Sequence, residues 1–396
     1  MIEIKNLDVV FGPQPERALA LLDADQGREQ IREDTGLVVG VNNANLTINK
    51  GEICVLMGLS GSGKSSLLRC INGLNETTRG SINIDHNGET IDFVKADADT
   101  QREIRMKRIS MVFQKFALMP WLTVAQNVAM PLELQGINKK EIKTRVDAQL
   151  ELVGLKQWAK LKPSELSGGM QQRVGLARAL VTESDILLMD EPFSALDPLI
   201  RTQLQDELIQ LQEKLHKTII FVSHDLDEAL KLGTNIAIMK DGIIVQQGKP
   251  EDIVLNPAND YVRQFVAHTN PIHVLQANSI MRPITDMALT EKGYCLSKRH
   301  DYWLSEDQQQ VYYRGDKFSP QLWQTGQDID KLTAAPTCVS ADTAMQDVME
   351  IRYHTDHSVF IMNGNDEDLN HDEKIQGVIG DKELYHTLLG KMMLDD

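Results

Sequence analysis

The sequence predicts an α/β protein with a largely parallel sheet, followed by a small α+β unit, on three observations. EICVLM (52–57), DILLM (185–189) and TIIFV (218–222) are continuous apolar runs of strand length, the form of strands buried on both faces of a parallel sheet. Between the last two, Ile200, Leu204, Leu208, Leu211 and Leu215 recur at steps of four, four, three and four. That spacing marks one face of a helix, and strands alternating with helices make the α/β pattern. Past residue 270 the texture changes: Tyr302, Trp303, Tyr312, Tyr313 and Trp323 arrive with glutamine runs and more acid, which places a domain boundary near 268–278.

Taken in order, residues 1–12 (MIEIKNLDVVFG) read as an edge strand ending at Phe11-Gly12, not as a signal peptide. Residues 16–34 are charged with helical runs of Ala and Leu, and predict a helical insertion before the next strand. Asp241-Gly242, between AIM and IIV, reads as a hairpin turn. No stretch approaches 18 consecutive apolar residues, so the chain is not expected to span a membrane. Cys54, Cys70, Cys295 and Cys338 are scattered, which fits thiols in a reducing cytosol better than a disulfide frame or zinc site.

The 396 residues allow two or three domains. Of the formal charge of −16, residues 271–396 contribute −10. Nucleic-acid binders carry a basic face, so this balance argues against that class of partner.

Gly58-Leu59-Ser60-Gly61-Ser62-Gly63-Lys64-Ser65 matches G-x-x-x-x-G-K-[ST] in full, after a strand and before the helical SSLLRCINGL. Its glycines let successive N–H groups turn toward phosphate oxygens, and the helix start adds partial positive charge. Lys64 is expected to reach the β- and γ-phosphates of a nucleotide, and the Ser65 hydroxyl to ligate Mg²⁺. The apolar run ending in Asp190-Glu191 carries two acids to a strand's carboxyl end, where open α/β sheets place ligands. Asp190 is expected in the magnesium shell, with Glu191 orienting or deprotonating the attacking water.

Around this pair the residues resemble a family. Leu166-Ser167-Gly168-Gly169-Met170-Gln171-Gln172-Arg173 is similar to the signature segment of ABC-type ATPases. Gln114 in MVFQKF resembles the Q-loop glutamine, Ser194-Ala195-Leu196-Asp197 the D-loop, and His224 in VSHD the switch histidine. The resemblance covers residues 1–250 and implies a P-loop NTPase of ABC type over 1–270, with a helical subdomain at about 115–180. It implies ATP and Mg²⁺ as ligands, Glu191, His224 and Gln114 as catalytic residues, and Gln114 beside Ser65 and Asp190 at the metal. It also implies a head-to-tail homodimer in which Ser167, Gly168, Gly169 and Asp197 meet the other copy's nucleotide. Independently of the family, Ser167 starts a helix, and Asp197-Pro198 is a favoured helix start.

ISMVFQKFALMPWLTVAQNV, VSHDLDEALKLG and IVQQGKPEDI narrow the resemblance to ATPase subunits of glycine betaine, proline and choline importers. It implies a quaternary-amine osmolyte, a membrane permease docking near residues 114–125, a separate substrate-binding protein, and a peripheral place on the cytoplasmic face of the inner membrane. Phe116, Leu118, Met119 and Trp121 are the candidate apolar patch for the permease. The family stacks adenine on an aromatic residue 25–30 positions before the phosphate-loop lysine, and that window holds none here. Phe11 is the candidate if the insertion loops out, with a core role at a strand end as the alternative.

Residues 337–390 weakly resemble a CBS module, in the order helix, strand, acidic hairpin, strand, helix, with no convincing first repeat in 278–330. The aromatic residues at 294–323 offer either a cage for a quaternary ammonium or ordinary packing. His354, Asp356 and His357 read as surface residues.

Overall fold

The computed structural model describes residues 1–396 except 87, 195, 268–271, 273, 299, 364–372 and 389–396, and it leaves out the side chains of 211, 213, 215 and 386–388. The chain forms two units, Met1–Ile253 with Pro257–Val262, and Val254–Asn256 with Arg263–Asp396. Residues 268–271 and 273 of the expected boundary lie outside the described residues.

In the first unit a six-stranded sheet runs, in spatial order, Ile243–Gly248, Asn235–Lys240, Ile53–Met57, Thr218–Val222, Ile186–Asp190 and Ile109–Val112. Every neighbouring pair is parallel except the first, the hairpin closed by Asp241 and Gly242. Both turn residues have positive φ, 52° and 87°, as a two-residue hairpin turn requires. Ile53–Met57, Ile186–Asp190 and Thr218–Val222 are buried at every position. Their unbroken apolar character follows from burial on both faces. The parallel strands end together, so the loops after Met57, Val112, Asp190 and Val222 share one edge.

A second, antiparallel sheet orders Val38–Ile48, Ile2–Phe11, Arg79–His86 and Glu89–Asp92. Ile2–Phe11 is therefore an interior strand, which corrects the edge assignment. Its apolar residues Ile2, Ile4, Leu7 and Val9 pack with Leu56, Leu67 and Leu68 in the main core. Its polar residues Lys5 and Asn6 stay exposed on a sheet with one wetter face.

The insertion folds as a 3-10 turn at Pro15–Ala18 and helices at Leu19–Asp23 and Arg28–Thr35. Its Ala18, Leu22 and Ile31 pack on Val10, Leu37 and Val39. Helices Val124–Leu134, Lys139–Leu152 and Gly168–Leu180 share a separate core that includes Val128, Leu132, Val146, Leu150, Val174 and Ala177. In helix Pro198–Leu215, Leu204 and Leu208 are buried, while the expected face members Leu211 and Leu215 lie outside the described side chains.

The second unit holds a sheet ordered Arg282–Pro283, Ile375–Ile379, Val359–Met362, Thr337–Ser340 and Gln321–Leu322. Helix Met345–Thr355 crosses between the parallel strands Thr337–Ser340 and Val359–Met362. The expected order of helix, strand, strand, helix is present, and the acidic hairpin lies outside the described residues. Residues 289–318 form an antiparallel meander.

One expectation for this unit is corrected, and one pair of alternatives resolves to packing. His357 is only 6% exposed, not a surface residue. Tyr302, Tyr313 and Phe318 surround its ring at centroid distances of 6.1, 5.1 and 4.8 Å. The aromatic space that could have been a cage is filled by imidazole, and Trp323 packs in a different cluster. Among the described residues, no helix is long and apolar enough to cross a membrane.

Candidate functional site

The edge where the parallel strands end opens onto a cavity of about 710 Å³ lined by Ser60, Gly61, Gly63, Lys64, Ser65, Gln114, Glu191 and His224, among others. These residues come from four strand ends, after Met57, Val112, Asp190 and Val222, the usual place for ligands in such sheets. Ile53–Met57 leads into the glycine loop. Gly58 has φ 139° and Gly63 φ 105°, and a Cβ on either would lie 2.1 or 2.2 Å from the carbonyl of Met239 or Gly40. Only glycine lets the loop nest this closely.

Lys64 begins helix Lys64–Ile71, and its Nζ donates to the carbonyls of Gly58 at 2.8 Å and Leu59 at 3.0 Å. It is 7% exposed. Burial lowers its pKa, while the neighbouring Glu191 and Asp190 charges oppose that shift. Ser65 Oγ donates to Asp190 Oδ1 at 2.7 Å, and Arg69 Nη2 donates to Asp190 Oδ2 at 2.8 Å. The oxygen donors of Ser65 and Asp190 form a hard set that fits Mg²⁺, a cation usually held by one or two carboxylates together with substrate phosphates.

Glu191 follows with φ 49°, a left-handed backbone that costs energy for a residue with a side chain. Gln114 Nε2 donates to Glu191 Oε2 at 3.0 Å, and His224 Nδ1 lies 3.9 Å from Oε1. Three strand ends thus converge on one carboxylate. A carboxylate held this way is placed to receive a proton from water.

Beneath His224, Ser223 Oγ donates to Glu228 at 2.7 Å and accepts from the Asp225 N–H at 3.0 Å. Burial raises the pKa of Glu228. This network and the Arg69 contact are absent from the sequence reading. Ser65 and Arg69 stand at i and i+4 on one helix face, which is the signal that could have found Arg69.

The remaining expected residues separate into groups. Phe11, 40% exposed, lines the cavity with Val38 and Val39. Leu59 points 63% into solvent and Ser62 is buried, so neither side chain lines the cavity. Ser167 caps helix Gly168–Leu180 by accepting from Met170 N–H, and Asp197 caps Pro198–Leu215 by accepting from Ile200 N–H. Ser167, Gly168 and Asp197 are exposed, and the chain's own cavity includes none of Ser167, Gly168, Gly169 and Asp197. Ala195 lies outside the described residues.

In segment 114–125, Trp121 is 68% exposed, whereas Leu118 packs against the helical core. The buried Arg178 donates from Nη1 to Ala117 O at 2.6 Å and from Nη2 to Phe116 O at 2.9 Å. Buried Asn127 accepts from Met119 N–H at 2.7 Å.

Comparison with known proteins agrees with this geometry. A family model described as ABC transporter matches residues 41–194. The glycine betaine/proline betaine transport system ATP-binding protein ProV of Escherichia coli (strain K12) is 47% identical, across 88% of this chain and 89% of its own. The glycine betaine transport ATP-binding protein OpuAA of Bacillus subtilis (strain 168) is 51% identical, across 71% and 66%. A dimeric, post-hydrolysis structure of an ATP-binding cassette bound to ADP and Pi is similar with TM-score 0.54 and 32% identity, covering 63% of this chain and 99% of that one.

Proposed function

The chain belongs to the family of ABC transporter ATP-binding subunits serving glycine betaine, proline betaine and choline uptake, and from that premise we propose that it hydrolyses ATP to energise import of a quaternary-amine osmolyte through a separate permease. The observation that carries this reading is the convergence of Lys64, Ser65, Gln114, Glu191 and His224 on one cavity, with Asp190 bonded to Ser65.

In this proposal Lys64 and the loop N–H groups hold the ATP phosphates. Ser65 and Asp190, with Gln114 nearby, hold Mg²⁺, which supplies positive charge to the phosphate oxygens. Glu191 takes the proton of the attacking water, and Gln114 and His224 fix the carboxylate that does so. Phe11 forms the wall on which adenine rests. Most of the rate enhancement comes from positioning and charge stabilisation.

The exposed helix starts at Ser167–Gly169 and Asp197 suit a head-to-tail pair of chains, each start facing the other copy's phosphate loop. Such a pairing is isologous. Segment 114–125, with Trp121 outermost, is the docking surface for the permease. The chain would then work peripherally at the cytoplasmic face of the inner membrane, reaching a substrate-binding protein only through the permease. Residues 271–396 act as a regulatory domain.

Uptake of labelled choline, glycine betaine and proline by cells with and without this chain tests the reading. Loss of uptake for at least one of them is expected, restored by the wild-type chain and not by Lys64→Ala. Equal uptake of all three without the chain would overturn the transport role.

A further inference from the structure

The helical insertion has no part in the site as read from the sequence, yet its second helix forms a wall of the cavity. Arg28–Thr35 is fixed below by Ile31, fully buried against Ala18, Leu22, Leu37 and Val39. Arg28, Glu29 and Arg32 line the cavity together with Phe11, Val38, Gly61 and Lys64.

The cations lining this cavity differ in what already holds them. Lys64 is engaged with two carbonyls of its own loop. Arg28 is engaged with the crest of that loop: Nη1 donates to Gly61 O at 2.9 Å, and Nη2 lies 3.3 Å from Asp241 in the hairpin turn. Arg28 thus ties the insertion, the phosphate loop and the hairpin together. Arg32 stands four residues on, about 6 Å further along the same helix face. Its guanidinium is exposed and has no hydrogen bond or ion pair among the described residues. The helix continues from there to Gly36, and the chain then enters Val38, which pairs with Phe11. Arg32 therefore faces the same cavity as the loop crest at Gly61 and the Phe11 wall.

A guanidinium is charged at any physiological pH and matches phosphate oxygens in a planar fork. A free one, held at a cavity wall by a rigid clamp one turn away, is suited to an anionic ligand. We infer that Arg32 contacts the phosphate chain of the bound nucleotide on its nucleoside side, with Arg28 as the positioning residue that holds the helix against Gly61. The inference rests on the reading of the cavity as an ATP site. Lys64 reaches toward the β- and γ-groups, and Arg32 adds positive charge on the α-phosphate side, beside the loop N–H groups.

The test is equilibrium binding of ATP and ADP to the full chain, with steady-state hydrolysis in parallel. Arg32→Ala is expected to weaken both nucleotides by a similar factor, roughly ten-fold, to raise KM and to leave kcat near wild type. Arg32→Lys should recover part of the loss. Raising salt should narrow the gap between wild type and Arg32→Ala. Arg28→Ala should weaken binding too, and the double variant should lose less than the product of the two factors, because the clamp acts through Arg32. Wild-type ATP affinity in Arg32→Ala, with Lys64→Ala still impaired, would overturn this inference alone. Wild-type affinity in Lys64→Ala would overturn the ATP site itself. Fully multiplicative losses in the double variant would overturn the positioning role of Arg28.

Discussion

Ser65 Oγ donates to Asp190 Oδ1 at 2.7 Å across a separation of 125 residues. One residue stands in the first turn of the helix after the phosphate loop and the other closes a strand two positions away in the sheet. The contact joins the phosphate loop's helix to the strand that carries Asp190 and Glu191.

Glu191→Gln keeps the shape of the side chain and its approach to Gln114 and His224, but removes the proton acceptor. ATP binding should persist while steady-state hydrolysis falls by at least about a hundred-fold, the scale of a lost general base. Phosphate release against nucleotide affinity reads this directly, and normal turnover would remove Glu191 from its role.

Lys64→Ala deletes an ammonium that the loop already holds in place through Gly58 and Leu59. Nucleotide affinity should fall with turnover, since charge-assisted contacts are among the stronger ones. Titration calorimetry with ATP checks it, and unchanged affinity would contradict the phosphate-loop assignment.

Gly58→Ala places a Cβ 2.1 Å from Met239 O at φ 139°. No flexible side chain can move away to relieve that clash, so the loop must shift. Binding of ATP should be lost, with a lowered melting temperature, whereas Gly61→Ala meets no atom within 4 Å and should be milder. Equal melting temperatures for the two variants would refute the packing argument.

Arg178→Ala leaves the carbonyls of Phe116 and Ala117 without their partner, at positions of φ 58° and 47°. Burial already lowers the pKa of Arg178, so its fork is held in a costly place. Hydrogen bonds to a charged group contribute about 1.5–3 kcal/mol, and a drop of about 2 kcal/mol in denaturant unfolding is expected. Uptake should fall further than ATPase activity if segment 114–125 meets the permease. Loss of both in equal proportion would count against that docking surface.

His357 gives a pH dependence with a definite sign. Burial lowers its pKa below the ordinary value of 6.5, with Asp356 opposing and Arg352 adding to the shift. The unfolded chain therefore takes up the proton first, and stability is lost as pH falls from about 6.5 through the lower folded value. Melting of the second unit should decline between about pH 7 and 5, and His357→Phe should flatten the decline. A profile unchanged by that substitution would show that another group sets it.

Much of the site was legible because its chemistry sits in short contiguous runs. Gly58–Ser65, Asp190-Glu191 and the helix start at Ser167 are each local patterns with local physical reasons. Arg28 and Arg32 were not legible, since the cavity they line is assembled only by folding. His357 was misread for the same reason: its neighbours Tyr302, Tyr313 and Phe318 come from 39 or more positions earlier in the chain. The strand at Ile2–Phe11 is interior and not at an edge, because the strands that flank it, Val38–Ile48 and Arg79–His86, lie far along the chain and pair with it only on folding.

By itself, then, the sequence determined the two-unit α/β plan, the phosphate loop and the acids after the second apolar run, because helix period, strand burial and glycine conformation are local properties. It also determined where the −16 charge lies. Only the tertiary structure decided that Gln114, Glu191 and His224 meet on one carboxylate, that the insertion supplies a cavity wall, and that the C-terminal aromatic residues enclose a histidine. Those outcomes depend on which strand ends neighbour each other and on which faces close together, and such long-range pairings leave no periodic trace in a single chain.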